Sequence, residues 1–309
     1  MSIEISDPIY HDEDAARRYF EALRWPDGVT CPLCGVTDQS APLNGNSMGP
    51  GWYYCSACKD KFTVRVGTVY ERSHIPLTKW AYAFRQMNSC KNGVSAHELH
   101  RTLNITYKSA WFMAHRIREA MALVPTGPLG GAGKVVEADE AYLGGKEKNK
   151  HANKRSARRD AFGPKQAVLT LVERNGEARS FHVANVTAKT LAPIVFNTAD
   201  RRSHLMSDGA QMYPAVGREF AAHSVVDHTS GEYVRGTAHS NTVENYFSNL
   251  KRGVDGTYRH VSEAHLQRYL SEFDFRYTNR SGIGVDDVAR TARAIKGAEG
   301  KRLTYRPAR

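Results

Sequence analysis

The chain has 309 residues, 41% of them hydrophobic, and a formal net charge of +11. That length supports two or three domains with at least one large core, and no apolar run approaches the ~20 residues of a membrane-spanning helix. The excess of Lys and Arg points to a polyanionic partner, above all nucleic acid, the alternative being a basic but otherwise ordinary enzyme.

The opening Met1-Ser2-Ile3-Glu4-Ile5-Ser6-Asp7 lacks the basic and then apolar character of a signal peptide. A cytoplasmic location is expected. Residues 8–26 read as a helical lead-in, with Tyr19, Phe20, Leu23 and Trp25 at helical spacing behind Asp12, Glu13 and Asp14. Residues 28–70 are rich in Cys, Gly and Tyr, with too little apolar mass to fold alone.

Two CxxC pairs lie in that stretch. Cys31-Pro32-Leu33-Cys34 and Cys55-Ser56-Ala57-Cys58 are 20 residues apart. Thiolates two residues apart fit adjacent corners of a zinc tetrahedron, and two such knuckles close a structural site with no open position. One structural Zn²⁺ on a zinc ribbon is expected. Gly35 follows the first knuckle, where a positive φ lets backbone N–H groups approach the sulfurs. Cys90, in a helical stretch, reads as a free thiol.

Residues 76–124 change to helical patterning. Pro76 and Thr78 open a helix with Trp80, Ala81, Phe84 and Met87. Ser95 caps a second through Leu103, and Thr106 a third from Tyr107 to about Leu123. The last two, joined by Asn104-Ile105-Thr106, read as a helix-turn-helix, which would present Tyr107, Lys108 and Ser109 to the major groove. The alternative is a plain helical hairpin. Pro125 to Gly133 is a linker.

Strand patterns follow at 134–142, 166–173, 179–186, 204–207 and 223–227, with a helix from Lys189 to Ala199 and helices at 242–252 and 262–278. Strands leading into helices argue for an α/β sheet domain. The expected partition is a helical lead-in (1–27), a zinc ribbon (28–75), a helical DNA-binding segment (76–124), a linker (125–133), a ribonuclease-H-like mixed sheet with flanking helices (134–285) and a basic tail (286–309), mobile from Lys296.

Three acids stand out. Asp139 lies inside an apolar strand, where an unpaired charge is costly. Asp208 ends the short run Leu205-Met206-Ser207, and Glu244 opens a helical pattern. The 68 residues between Asp139 and Asp208 accommodate a hairpin of two strands, a crossover helix and a fourth strand beside the first. The next 35 return a helix carrying Glu244 to the sheet edge. Such a cluster suits two Mg²⁺ or Mn²⁺ ions, with Asp139 bridging both and Asp208 and Glu244 each holding one. Glu137, two residues before Asp139, shares its face as a rival or extra ligand. Glu140 points the other way and reads as structural.

Asp139-Glu140-Ala141-Tyr142-Leu143-Gly144-Gly145-Lys146 resembles the first-aspartate motif of zinc-ribbon insertion-sequence transposases with a DDE domain, the ISXO type. Ser207-Asp208-Gly209 with Tyr213 resembles the second motif. His239-Ser240-Asn241-Thr242-Val243-Glu244-Asn245-Tyr246-Phe247 resembles the third, and Tyr269 to Tyr277 the family's ending. The resemblance spans residues 15 to 280. It implies binding to the element's terminal inverted repeats, cleavage of phosphodiesters, transfer of the 3′-OH ends to target DNA, and a homodimer or higher assembly on DNA. Some relatives carry Asn at the third position, so Asn241 competes with Glu244. An anionic oxygen holds Mg²⁺ better than an amide does.

Phosphate contacts are expected from the insert at Lys148, Lys150, Lys154, Arg155, Arg158 and Arg159, and from Lys251, two helical turns beyond Glu244. His228 and His239 near the third motif read either as positioning a scissile phosphate or a water, or as buried, hydrogen-bonded histidines. Two other readings remain open: a ribonuclease-H-like nuclease without strand transfer, and a non-catalytic zinc-ribbon regulator of DNA.

Overall fold

A computed structural model describes residues 4–45, 48–144, 165–208, 210, 212–226 and 239–304. It divides into two compact units. The first contains residues 1–90, 94–122 and 284–309, and the second residues 91–93 and 123–283.

The first unit begins with α1 (Glu13–Arg24), whose Asp12 cap accepts from the N–H groups of Asp14 and Ala15. Its Phe20 is fully buried, edge-on to Tyr70 and Phe84. A small antiparallel sheet follows, β1 (Ser40–Pro42), β2 (Tyr53–Cys55) and β3 (Lys61–Phe62), in that order. α2 (Leu77–Ser89) buries Trp80, Ala81, Phe84 and Met87, as its periodicity predicts.

α3 (Ala96–Leu103) is capped by Ser95, and α4 (Tyr107–Met121) by Thr106. Asn104 makes the turn between them in the left-handed region, at φ 45°, which asparagine tolerates better than most residues. Met113 and Ile117 of α4 point inward, while Tyr107 is 44% exposed.

Of the segment expected as a basic tail, Asp287–Lys296 forms a capped helix, α9, that buries Arg290, Thr291, Ala294 and Ile295. Arg290 donates to the Asn88 carbonyl, Gly300 N–H to Gly67 O, and Lys301 Nζ to the Ala120 carbonyl at the end of α4. Arg290, Arg293 and Lys296 lie on an amphipathic helix whose apolar stripe is short, so charge dominates its composition while Ala294 and Ile295 dominate its packing.

The second unit is built on a five-stranded sheet. β4 (Leu129–Gly130) and β8 (Ala199–Asp200) form a separate two-residue pair. The main sheet comprises β5 (Val135–Leu143), β6 (Gln166–Glu173), β7 (Ala178–Val183), β9 (His204–Asp208) and β10 (Ala222–Val226). Its order is β10-β9-β5-β6-β7. β5, β6 and β7 pair antiparallel, whereas β9 runs parallel to β5, and β10 parallel to β9. This is the mixed ribonuclease-H-like sheet expected from the sequence, with the fourth strand beside the first.

Helices cover both faces. α5 (Ala188–Thr198) and the short α6 (Tyr213–Gly217) pack with Val136, Ala138, Leu169, Leu171 and Leu205 on one face. α7 (Asn241–Arg252) and α8 (Glu263–Thr278) pack with Ala141, Leu143, Val168 and Val172 on the other. β5 therefore sends even-numbered apolar residues toward α5 and odd-numbered ones toward α7, as period-two alternation requires. Its acids follow the same rule. Glu137 and Asp139 belong to the α7 face, and Glu140 to the face of α5 and α6.

The α7 face also holds a buried polar cluster. Asp274 of α8 accepts from Ser180 N–H, from Ser180 Oγ and from Tyr246 Oη. Every oxygen of this cluster has a partner, the condition for burying it at modest cost.

Candidate metal centres and acidic site

The four cysteines converge as their spacing predicts, with all four Sγ atoms within 4.8 Å of one another. Cys31 to Cys58 and Cys34 to Cys55 are both 3.7 Å. A tetrahedral zinc with Zn–S bonds of about 2.3 Å has S···S edges of about 3.8 Å. The donor set therefore fits zinc, with no room for a disulfide geometry between the pairs. The two knuckles are built alike. Gly35 (φ 76°) donates its N–H to Cys31 O, and Lys59 (φ 64°) donates to Cys55 O. The backbone N–H groups of Cys58 and Ala57 pull the Cys55 thiol below its ordinary range, which favours the thiolate a metal needs.

The acidic site forms where β5 and β9 run side by side. Their register pairs Ala138 with Ser207, so Asp139 and Asp208 follow one step on, on the same face of adjacent parallel strands. Both are partly buried. Carboxylate oxygens of Asp139, Asp208 and Glu140 lie within 4.8 Å of one another. Burial first, and then the charge of Asp208, pushes the Asp139 carboxyl up to about 7. Glu244, in the first turn of α7, adds to that repulsion, although it is not one of the three in closest approach. Its Oε1 accepts from Ser240 Oγ at 2.8 Å.

These donors fit a divalent cation. An octahedral Mg²⁺ with oxygens at about 2.1 Å holds them roughly 3.0–4.2 Å apart, close to the spacing already present. The repulsion that raises Asp139 is what a cation relieves.

Glu140 departs from expectation. It does lie on the opposite face, where Tyr213 Oη donates to its Oε2 at 2.9 Å. Alternation fixes only the Cα–Cβ direction, and the longer glutamate side chain carries its carboxylate back toward Asp139 and Asp208. Its carboxyl is held above the usual range by burial. The signal that could have found it is the pairing of Tyr213, itself part of the second motif, with the first motif.

Glu137 shares the face of Asp139, but its carboxylate is engaged elsewhere. Arg174 Nε, Thr242 N–H, Thr242 Oγ1 and Val243 N–H all donate to it. His239 places Nδ1 3.5 Å from Glu137 Oε1, and its carbonyl accepts from Arg174 Nη2. Asn241 is the exposed first residue of α7. His228 and the basic residues Lys148, Lys150, Lys154, Arg155, Arg158 and Arg159 lie outside the described residues. Lys251 is exposed on α7, its ammonium 5.9 Å from the Phe247 ring. Tyr107 begins α4 with its ring stacked on His97 at 4.3 Å, beside exposed Lys108 and half-buried Ser109. No helix among the described residues is long and apolar enough to cross a membrane.

Residues 128–278 match a family model described as an ISXO2-like transposase domain, and residues 11–61 match a transposase zinc-ribbon domain. An uncharacterized protein in transposable element ISH50 of Halobacterium salinarum is 29% identical over 279 residues, covering 85% of this chain and 90% of that protein. Two solved assemblies, a pre-cleavage Mos1 transpososome and a Mos1 strand transfer complex, share 13% and 12% identity. They cover 66% and 64% of this chain, and 71% and 76% of theirs. Their TM-scores, 0.28 and 0.22, are too low to bear on the fold.

Proposed function

The chain belongs to the insertion-sequence transposases that join a zinc ribbon to an ISXO2-like transposase domain, and we propose that it cuts the terminal repeats of its own element and joins the freed 3′-OH ends to target DNA. The observation that carries this reading is the juxtaposition of Asp139, midway along β5, with Asp208, the last residue of the adjacent parallel strand β9. The first turn of α7 brings Glu244 into electrostatic reach of Asp139.

Asp139, Asp208 and Glu244 would hold the catalytic divalent cations. Bound there, such ions activate an oxygen nucleophile and stabilise the departing oxygen. Either water or a 3′-OH can serve as that nucleophile, so one site suffices for both cutting and joining. Ser240 orients Glu244 through its hydroxyl, and Tyr213 holds Glu140 beside the pair. The N-terminal end of α4, with Tyr107, Lys108 and Ser109, is assigned to duplex DNA. Lys251 and the basic insert after β5 are assigned to phosphates near the site. The zinc ribbon is a structural element, and two element ends require at least two protomers.

The test is incubation of the protein with DNA flanking its own gene and Mg²⁺, with the cut positions mapped. Asp139→Asn, Asp208→Asn and Glu244→Gln are each expected to retain end binding and lose strand cleavage. A pre-cut end with a free 3′-OH should be joined to target by the unaltered protein. Cleavage without joining would identify a nuclease instead, and full Mg²⁺-dependent cleavage by any one variant would remove that residue from the site.

A further inference from the structure

We propose that Glu137 is a positioning residue that fixes the helix carrying Glu244 against the strand carrying Asp139. The proposal rests on the reading of Asp139, Asp208 and Glu244 as the carboxylates of the reaction, and it concerns how they are held rather than what they do.

The N-terminus of α7 carries no side-chain cap of its own. The first N–H groups of a helix have no partner within it, and a cap side chain normally accepts from the second or third of them. Ser240, at the cap position, makes no such bond. Glu137 takes its place from the neighbouring strand. Its Oε2 accepts from Thr242 N–H at 2.9 Å and Val243 N–H at 3.0 Å, the second and third residues of the helix. Its Oε1 accepts from Thr242 Oγ1 at 2.8 Å and Arg174 Nε at 2.6 Å. The anion also sits at the positive end of the helix dipole.

Glu137 is 0% exposed, so this geometry cannot relax into water. A carboxylate only accepts, and all four of these neighbours are donors. Arg174 extends the clamp by donating to the His239 carbonyl at 2.8 Å, which fixes the chain entering α7. The Ser240 hydroxyl does not cap the helix and donates to Glu244 Oε1. One buried carboxylate thus sets both the start of α7 and, through Ser240, the orientation of Glu244. Asp139 is two residues along the same strand, so the clamp ties the first and third acidic motifs into one rigid unit.

Glu137→Gln keeps the shape but turns one acceptor oxygen into a donor facing other donors. Three readouts on the full-length, zinc-loaded chain test the proposal: hydrogen exchange of peptides covering 239–246, Mn²⁺ affinity by calorimetry, and Mg²⁺-dependent cleavage of element ends. The expected result is faster exchange in the first turn of α7 with α8 unchanged. Mn²⁺ binding should weaken about tenfold or more, with cleavage falling in parallel and recovering in part at high Mg²⁺. A purely structural role would lower stability without moving the metal requirement. Thr242→Val, which removes one donor and leaves Glu137 in place, should shift all three readouts the same way by less, and it carries the test if Glu137→Gln does not fold. Unchanged exchange and unchanged Mn²⁺ affinity in the folded variant would overturn the proposal. An Asp139→Asn chain that still cuts would overturn the reaction reading instead, and the exchange readout would judge Glu137 on its own.

Discussion

Each acid of this chain is defined by what stands within a few ångströms of it. Glu137, Asp139 and Glu140 are near neighbours on one strand, yet they do three different things. Glu137 meets four donors and caps a helix. Asp139 meets Asp208 and is driven toward protonation, which a cation would reverse. Glu140 accepts from Tyr213 while leaning into the same cluster. Asp274 shows the same dependence away from the site. Burial raises its carboxyl to about 7 from an ordinary value of 3.8, against hydrogen bonds from Tyr246 and Ser180 that lower it. The folded chain therefore holds one proton more than the unfolded chain between those values. By linkage, this group's contribution to stability is fully present below pH about 4 and is lost as pH rises through about 7. Denaturant unfolding from pH 4 to 8 should show that decline, and Asp274→Asn should flatten it relative to the unaltered chain. Parallel curves for the two proteins would contradict the assignment.

At the scale of elements, the local signals were reliable wherever the cause was local. Ser95 and Thr106 cap α3 and α4 through their own hydroxyls, as their positions in the sequence predict. α2 and α7 start without a cap of their own, and both take a glutamate from elsewhere. Glu13 of α1 accepts from Leu77 and Thr78 N–H, and Glu137 of β5 serves α7. No residue near Leu77 or Thr242 announces this, because the partner is 64 or 105 positions away. The zinc ribbon is the opposite case, since both knuckles and their turns are local. Its sheet is only three short strands, with Phe62 packed among Trp25 and Tyr53. A unit with so little apolar cover depends on its metal. Chelation should release one zinc per chain and make all four ribbon cysteines reactive to alkylation. Peptides of the second unit should keep their hydrogen-exchange protection. Cysteines that stay unreactive after complete zinc removal would show that the ribbon holds without it.

For the molecule as a whole, the two units differ in how their chain is drawn together. The second is nearly continuous, and spacing anticipated its fourth strand beside its first. The first unit recruits the far C-terminus, which composition suggested was a tail. Thr68 pairs with Glu299, and α9 inserts Ile295, only 3% exposed, into the unit. Ile295→Ala should therefore cost about 2–5 kcal/mol in denaturant unfolding. A side chain on a solvated tail would change stability by no more than about 0.5 kcal/mol.

The sequence by itself determined most of the elements, the cysteine tetrad, the fourth strand beside the first and the placement of Asp139 and Asp208 on strands. These follow from periodicity, spacing and capping, which act over a few residues or within one hairpin. Tertiary structure alone decided which acids converge, which one becomes a cap, and that the last helix belongs to the first unit. A carboxylate's role is set by the charges and donors that burial forces upon it. Here those partners come from distant segments, brought together by the register of β5 with β9 and by the packing of α7 on the sheet.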